Sequence, residues 1–143
     1  MREIKFRGMS INGQWFIGDL ARPANDISSN VKAGQSFISN AYGMSHAYPV
    51  RPETVGQFTG LLDKNGVEIY EGDIVLQPVG FGITDDRDLV GEVRMLDASW
   101  CSVISIKDGM TFLVDFYEYT KPSEFIVIGN IYEHPDLLDK KGE

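Results

Sequence analysis

The stretch from Gln57 to Val75 constrains the fold of this chain more than any other part of the sequence. It reads QFTGLLDKNGVEIYEGDIV, in which two extended segments are joined by residues 63–66 (DKNG) and followed by residues 71–73 (EGD). Asn65 and Gly66 adopt positive φ at low cost, so they predict a tight turn between strands. The EGD corner leads into a further extended segment. The stretch therefore predicts a chain organised by antiparallel strands.

The N-terminal residues predict a β-hairpin over Ile4–Ala21. Asn12-Gly13 is the preferred pair for a two-residue type I′ turn, because both central positions need positive φ. Folding about this pair sets Gly8 opposite Ile17. Period-two alternation then predicts that one face of the hairpin is buried. The residues of that face are Ile4, Phe6, Trp15 and Ile17.

The chain after residue 72 has the spacing of several short strands separated by Gly, Asp and Pro, which is typical of a small barrel or sandwich. The predicted strands cover residues 73–79, 89–96, 100–106, 111–119 and 124–132. Pro135 suits a helix start, so residues 134–141 predict one or two turns of helix. The candidate core consists of apolar residues in these strands. They are Val75, Val90, Val93, Met95, Val103, Ile104, Ile106, Phe112, Val114, Phe125, Val127 and Ile131.

Residues 22–50 are the least regular part of the chain, with weak periodicity and frequent Asn, Ser, Gly and Pro. They predict exposed loop with two short strands, at residues 35–39 and 47–50. Long loops within compact domains are often functional. We therefore predict an N-terminal β-hairpin and loop lobe over 1–71 and a small β-barrel with a short C-terminal helix over 72–143. One continuous domain is the alternative.

The net charge of −8 is divided unequally along the chain. Residues 1–71 hold seven Lys/Arg and seven Asp/Glu, whereas residues 72–143 hold six Lys/Arg and fourteen Asp/Glu. This acidic second half would repel a nucleic-acid backbone. It either keeps the protein soluble or forms an acidic face for a basic protein partner. The candidate interaction residues are a dense acidic cluster and two tyrosines on one strand face, namely Asp85, Asp86, Asp88, Tyr117 and Tyr119.

The sequence carries no recognisable catalytic motif. Cys101 is the single cysteine, which excludes an internal disulfide. No histidine lies near it in the sequence and no basic residue flanks it, so nothing nearby would activate the thiol. His46 and His134 alone do not make a zinc cage. Glu71 and Asp73 form an acid pair whose usual role at a corner is to accept backbone N–H bonds, with an active-site pair as the alternative. We predict no enzymatic activity, no cofactor and no metal.

Four motifs together resemble the YopX family, small proteins encoded by bacteriophages and prophages, mostly of Gram-positive bacteria. They are IKFRG followed by Trp15, residues 52–75 (PETVGQFTGLLDKNGVEIYEGDIV), GEV at 91–93 and FIVIGNIYEHPDLL at 125–138. The resemblance weakens at residues 22–50 and 97–123. It implies a mainly β fold with an SH3-like barrel toward the C-terminus. It brings no accepted catalytic residue and no known biochemical function.

These observations predict a phage or prophage accessory protein that binds a bacterial host or phage protein without catalysis. The alternative is a nucleic-acid-binding small-barrel protein that uses the basic hairpin edge of Arg2, Lys5 and Arg7. That edge also has a simpler interpretation, an edge strand protected by charge. An enzyme that uses Asp or Glu is a third hypothesis, and homo-oligomers through strand edges are a further alternative. With no signal peptide and no long apolar run, we expect a cytoplasmic protein without membrane segments.

Overall fold

The computed structural model describes residues 3–40, 47–77, 89–96, 99–105, 111–115 and 125–139. These residues form a mainly β chain with two antiparallel sheets, one 3₁₀ turn and one short helix, which confirms the predicted fold class at this level. The chain divides into two compact units, Met1–Phe58 (unit 1) and Thr59–Glu143 (unit 2). The division into domains at residues 71 and 72 concerns independent folding and stays a prediction.

Unit 1 is a sheet whose strands lie in the order β4-β3-β2-β1-β5. Its buried apolar residues include Met9, Phe37, Ile38, Val50 and Phe58. The elements are β1 (Phe6–Met9), β2 (Trp15–Ala21), β3 (Ser36–Ser39), β4 (Ala47–Val50), the 3₁₀ turn (Pro52–Thr54) and the start of β5 (Gly56–Leu62). The short strands predicted at 35–39 and 47–50 are thus both present. Strand β1 pairs with β2 and with β5, so the interpretation of this segment as a charged edge strand is wrong.

The hairpin between β1 and β2 is present, but its predicted register is wrong by one residue. Gly8 pairs with Phe16, not with Ile17. The Ser10 N–H donates to the Gln14 carbonyl at 2.9 Å, so three residues form the loop, and Gly13 takes the positive φ of 83°. Three-residue hairpin loops commonly end on such a left-handed residue.

The extra loop residue also changes which side chains share a face of the hairpin. In the observed register Phe6 lies on the face of Phe16, and Trp15 and Ile17 lie on the other. The predicted buried face therefore does not exist as one surface. Ile17 is 44% exposed, and Ile4, before β1, is 67% exposed.

Unit 2 contains a five-stranded sheet in the order β10-β9-β8-β7-β11. Its core consists of Ile69, Val75, Val93, Trp100 and Phe125, with Leu61 and Val127 packed against them. The elements are the rest of β5, β6 (Glu68–Tyr70), β7 (Asp73–Gln77), β8 (Leu89–Leu96), β9 (Ser99–Ser105), β10 (Thr111–Asp115), β11 (Ile126–Asn130) and the helix α1 (Asp136–Asp139).

Several predictions for unit 2 agree with these elements. The side chains of five predicted core residues lie outside the part that the structure describes, namely Val103, Ile104, Ile106, Phe112 and Val114. Strand β8 has the predicted bounds and α1 lies within the predicted helical tail. Met95, predicted as core, is 38% exposed, whereas Trp100 is buried and was not predicted. Within the described residues, β10 and β11 lie at opposite ends of the sheet order with no pairing between them, so the sheet is open and an SH3-like barrel is not confirmed.

Candidate binding groove

The residues predicted as an interaction surface do not form the candidate site described here. Asp85, Asp86, Asp88, Tyr117 and Tyr119 lie outside the described residues, and their role stays a prediction. Within the part of the chain that the structure describes, unit 1 contains an open groove of about 750 Å³. Three chain segments line it: the β1–β2 loop with Phe16, residues 33–36, and residues 48–52.

The β1–β2 loop forms the first wall of the groove. Besides the Ser10–Gln14 backbone bond, the Gly13 N–H donates to the Ser10 carbonyl at 3.0 Å and the Gln14 N–H donates to Ser10 Oγ at 3.3 Å. These bonds fix the loop around Ile11, which is 89% exposed at the rim. One exposed aliphatic side chain is ordinary by itself, and Ile11 is of interest because it lines the same groove as Phe16 and Tyr48.

Residues 33–36 form the second wall, and local polar side chains hold this segment. The Ala33 N–H donates to Asp26 Oδ1 at 2.8 Å, and the Lys32 N–H donates to Gln35 Oε1 at 2.8 Å. Arg22 Nε donates to Ser36 Oγ at 3.0 Å. Part of the stretch predicted as irregular loop is therefore a wall with its own hydrogen-bond network.

The end of β4 and the 3₁₀ turn form the third wall. The Thr54 hydroxyl is buried, accepts the Met9 N–H at 2.9 Å and donates to the Arg51 carbonyl at 2.6 Å. The Arg51 N–H donates to the Met9 carbonyl at 2.8 Å. Both backbone groups of Arg51 are thus fixed, while its side chain is 45% exposed.

Two stacked aromatic rings make the most prominent apolar feature of the groove. The rings of Phe16 and Tyr48 lie parallel within 8°, with centroids 4.2 Å apart. Phe16 comes from β2 and Tyr48 from β4, with β3 between these strands in the sheet. Tyr48 is 37% exposed, so part of its ring is accessible from the groove. Aromatic side chains of this kind supply large contact areas in recognition sites.

The charge of the groove differs from that of the chain as a whole. Arg51 is the one Lys, Arg, Asp, Glu or His residue among the described residues of the lining. Its Nε lies 3.9 Å from Glu53 Oε1, and an ion pair this long between exposed side chains contributes little. Unit 1 holds six Lys/Arg and four Asp/Glu, a net charge of +2, whereas unit 2 holds seven and seventeen, a net charge of −10.

The basic residues of the hairpin make intramolecular contacts. Lys5 Nζ lies 4.8 Å from the centroid of the Phe58 ring and 3.2 Å from Glu3 Oε1. The Arg7 guanidinium lies 4.8 Å from the centroid of the Trp15 ring. Cations over aromatic faces are stabilised by the ring quadrupole. These two side chains therefore support the packing of unit 1, which weakens the case for a basic nucleic-acid edge.

The acidic residues near the central turn have structural roles in unit 2. Asp73 is buried and its Oδ2 accepts the Tyr70 N–H at 2.8 Å, as expected for a carboxylate at a corner. Asp63 is also buried, and its two oxygens accept the N–H groups of Asn65, Val67 and Val127 at 2.8, 2.9 and 2.9 Å. Burial raises the pKa of the Asp63 carboxyl, but these three donors outweigh burial and hold its pKa below the ordinary value of 3.8.

Sequence reasoning missed the groove because its walls are distant in sequence. One signal was available: residues 48–52 read YPVRP, which places an aromatic residue, an arginine and two prolines within one short segment. A second was Ile11, an apolar residue inside a turn otherwise made of Ser, Asn and Gly. Neither signal indicates that these residues lie in one groove, because that depends on the pairing of β3 with β2 and β4.

Comparisons with known proteins bear on the whole chain. One similar solved structure is the crystal structure of protein EF1440 from Enterococcus faecalis, with 21% identity over 96% of this chain and 99% of that chain and a TM-score of 0.47. No curated protein matches the chain. Among the described residues, no helix combines the length and the apolar character needed to cross a membrane. The family model described as YopX protein matches residues 5–139, and the chain therefore belongs to the YopX family.

Proposed function

We propose that this protein is a non-catalytic binding module that recognises another protein through the groove of unit 1. The same proposal includes a phage or prophage origin and a cytoplasmic location. It also includes a bacterial host or phage protein as the partner and an SH3-like closure of unit 2. The motifs that the chain shares with its family support the phage or prophage origin and the SH3-like closure. The observation that carries the proposal is the stacked Phe16–Tyr48 pair beside the exposed Ile11 in an open groove.

The chemistry of the lining supports binding more than catalysis. Its described side chains are aliphatic, aromatic, hydroxyl and amide groups, together with the guanidinium of Arg51. Aromatic and arginine side chains dominate the energetics of protein interfaces. General acid–base catalysis mostly uses His, Asp, Glu, Lys or Cys side chains, and the described lining contains none of these. A protein ligand therefore fits the groove better than a reacting substrate.

The test is affinity capture from a bacterial host lysate with matched isoleucine variants. Ile11→Ser changes a side chain at the groove, and Ile27→Ser changes an equally apolar side chain that is 69% exposed in the same unit but does not line the groove. Tyr48→Ala removes one ring of the stack. We expect the wild type and Ile27→Ser to capture the same protein in similar amounts. We expect Ile11→Ser and Tyr48→Ala to capture at least tenfold less of it.

The captured protein is then purified, and its affinity for all four chains is measured by titration. Circular dichroism of each variant confirms that the sheet is intact. Capture that is insensitive to both groove variants would refute the assignment of binding to this groove. Recovery of nucleic acid that dissociates steeply with salt, and of no protein, would favour the alternative small-barrel function.

A further inference from the structure

We propose, resting on the function above, that the groove takes a short extended peptide segment in which an apolar side chain lies next to an acidic one. The occupant is thus a peptide of a partner protein, and its carboxylate pairs with Arg51. The groove volume of about 750 Å³ lies in the range of sites that take small ligands, which suits the side chains of a short segment.

Charge complementarity selects the acidic part of the peptide. The chain as a whole is strongly acidic, yet the described lining contains one cation and no carboxylate. A basic segment would meet Arg51 with like charge and gain no ion pair in the groove. An acidic segment gains that pair by replacing the 3.9 Å contact of Arg51 with the exposed Glu53, and it meets no carboxylate within the described lining.

The local geometry makes Arg51 suited to a carboxylate. Its N–H and carbonyl groups are both held, by Met9 and by Thr54, so the guanidinium extends from a fixed backbone. The planar guanidinium presents donors in a fork that matches the two oxygens of a carboxylate. Less conformational freedom is lost on binding when the anchor is already fixed.

The apolar part of the peptide fits the remaining walls. Ile11 and the Phe16–Tyr48 stack provide aliphatic and aromatic surface within the same groove as Arg51. The side-chain amides of Asn12 and Gln14 supply donors and acceptors for the backbone of an extended ligand. These features together favour a segment with an apolar side chain and a carboxylate in close sequence.

The edge of the sheet favours recognition by side chains over strand addition. Strand β4 lies at the end of the sheet order, and it contains Pro49, which has no backbone N–H. Proline on an edge strand interrupts the ladder that an added strand would need. The ligand therefore enters the groove beside this edge, and contacts with side chains determine its sequence.

The test is a selection of random peptides displayed on a surface against the full-length chain, with two charge-reversal variants. Arg51→Glu reverses the charge in the groove. Lys64→Glu changes the net charge equally at an exposed residue of unit 2 that is not part of the lining. We expect wild type and Lys64→Glu to enrich peptides with Asp or Glu beside an apolar residue, and Arg51→Glu to enrich Lys or Arg instead.

The best wild-type peptide is then titrated by fluorescence anisotropy. We expect Arg51→Glu to weaken its binding at least tenfold and Lys64→Glu to change it less than twofold. Enriched peptides whose binding requires Tyr48 but which show no preference for Asp or Glu would overturn this inference. The groove would then still be a protein-binding site. Enrichment of basic peptides by the wild type would also overturn it. If no peptide is enriched and lysate capture ignores the groove variants, the inference and the proposed function both fail.

Discussion

Replacing Asp63 with asparagine tests whether one buried carboxylate holds the central turn of unit 2. Its oxygens accept three backbone N–H groups, from Asn65, Val67 and Val127. The asparagine amide keeps one oxygen and places an NH₂ group against at least one of these donors. Hydrogen bonds to charged groups contribute about 1.5–3 kcal/mol each, and a buried donor left unpaired is costly. We expect Asp63→Asn to lower the free energy of unfolding by roughly 3 kcal/mol at pH 7.

The pH dependence follows from the lowered pKa of Asp63. Because the folded pKa lies below the ordinary value of 3.8, ionised Asp63 stabilises the folded state at pH values above the unfolded pKa. This stabilisation is lost as the pH falls through the folded pKa. The difference in the free energy of unfolding between wild type and Asp63→Asn is therefore largest near neutral pH and decreases below pH 3.8.

The assay is urea unfolding followed by tryptophan fluorescence, since the buried Trp100 reports on the same unit. Asp136→Asn is the control, because it removes an exposed carboxylate from unit 2, and we expect it to change the free energy by less than about 0.5 kcal/mol. If Asp63→Asn is as stable as the control at pH 7, or if its deficit is the same at pH 3 and pH 7, the role assigned to the carboxylate is wrong.

Two further predictions concern unit 1. Thr54→Val keeps the shape of the side chain but leaves the Met9 N–H without its acceptor, so we expect a loss of about 2 kcal/mol in urea unfolding, against less than about 0.5 kcal/mol for the exposed control Ser28→Ala. A Cβ at Gly18 would clash with the Ser39 carbonyl oxygen, whereas one at Gly13 would meet nothing within 4 Å. We expect Gly18→Ala to lower the free energy of unfolding by about 3 kcal/mol and Gly13→Ala, whose cost is its positive φ, by about 1 kcal/mol; equal losses would contradict this steric argument.

The strands were predictable because they depend on local patterns. Period-two alternation and Gly or Pro punctuation located β4 and β8 at their observed bounds. The hairpin register was not predictable to one residue, because the sequence SINGQ allows a two-residue turn at Asn12-Gly13 as well as the three-residue loop that ends on Gly13. The backbone hydrogen bond from Ser10 to Gln14 and the pairing of Met9 with Trp15 distinguish the two, and neither can be read from the five residues alone.

The groove was less predictable than the strands, because tertiary pairing creates it. Phe16 and Tyr48 are 32 positions apart in the sequence and meet only through the pairing of β2 with β3 and of β3 with β4. The prediction of β1 as an edge strand failed for the same reason, since its pairing with β5 joins Phe6 to Gln57. Single-sequence periodicity describes one strand at a time and does not give the order of strands in a sheet.

The bond from Val127 to Asp63 spans 64 positions of sequence, and this has a consequence for the order of folding during synthesis. The hairpin of β5 and β6 leaves the ribosome first, but its buried carboxylate and the Leu61 and Ile69 side chains lack Phe125 and Val127 until those residues have been synthesised. Contacts so far apart in sequence form slowly because a long loop must close first. We therefore expect unit 2 to lack these contacts until residue 127 has been synthesised, and we expect truncations that remove Phe125 and Val127 to destabilise unit 2.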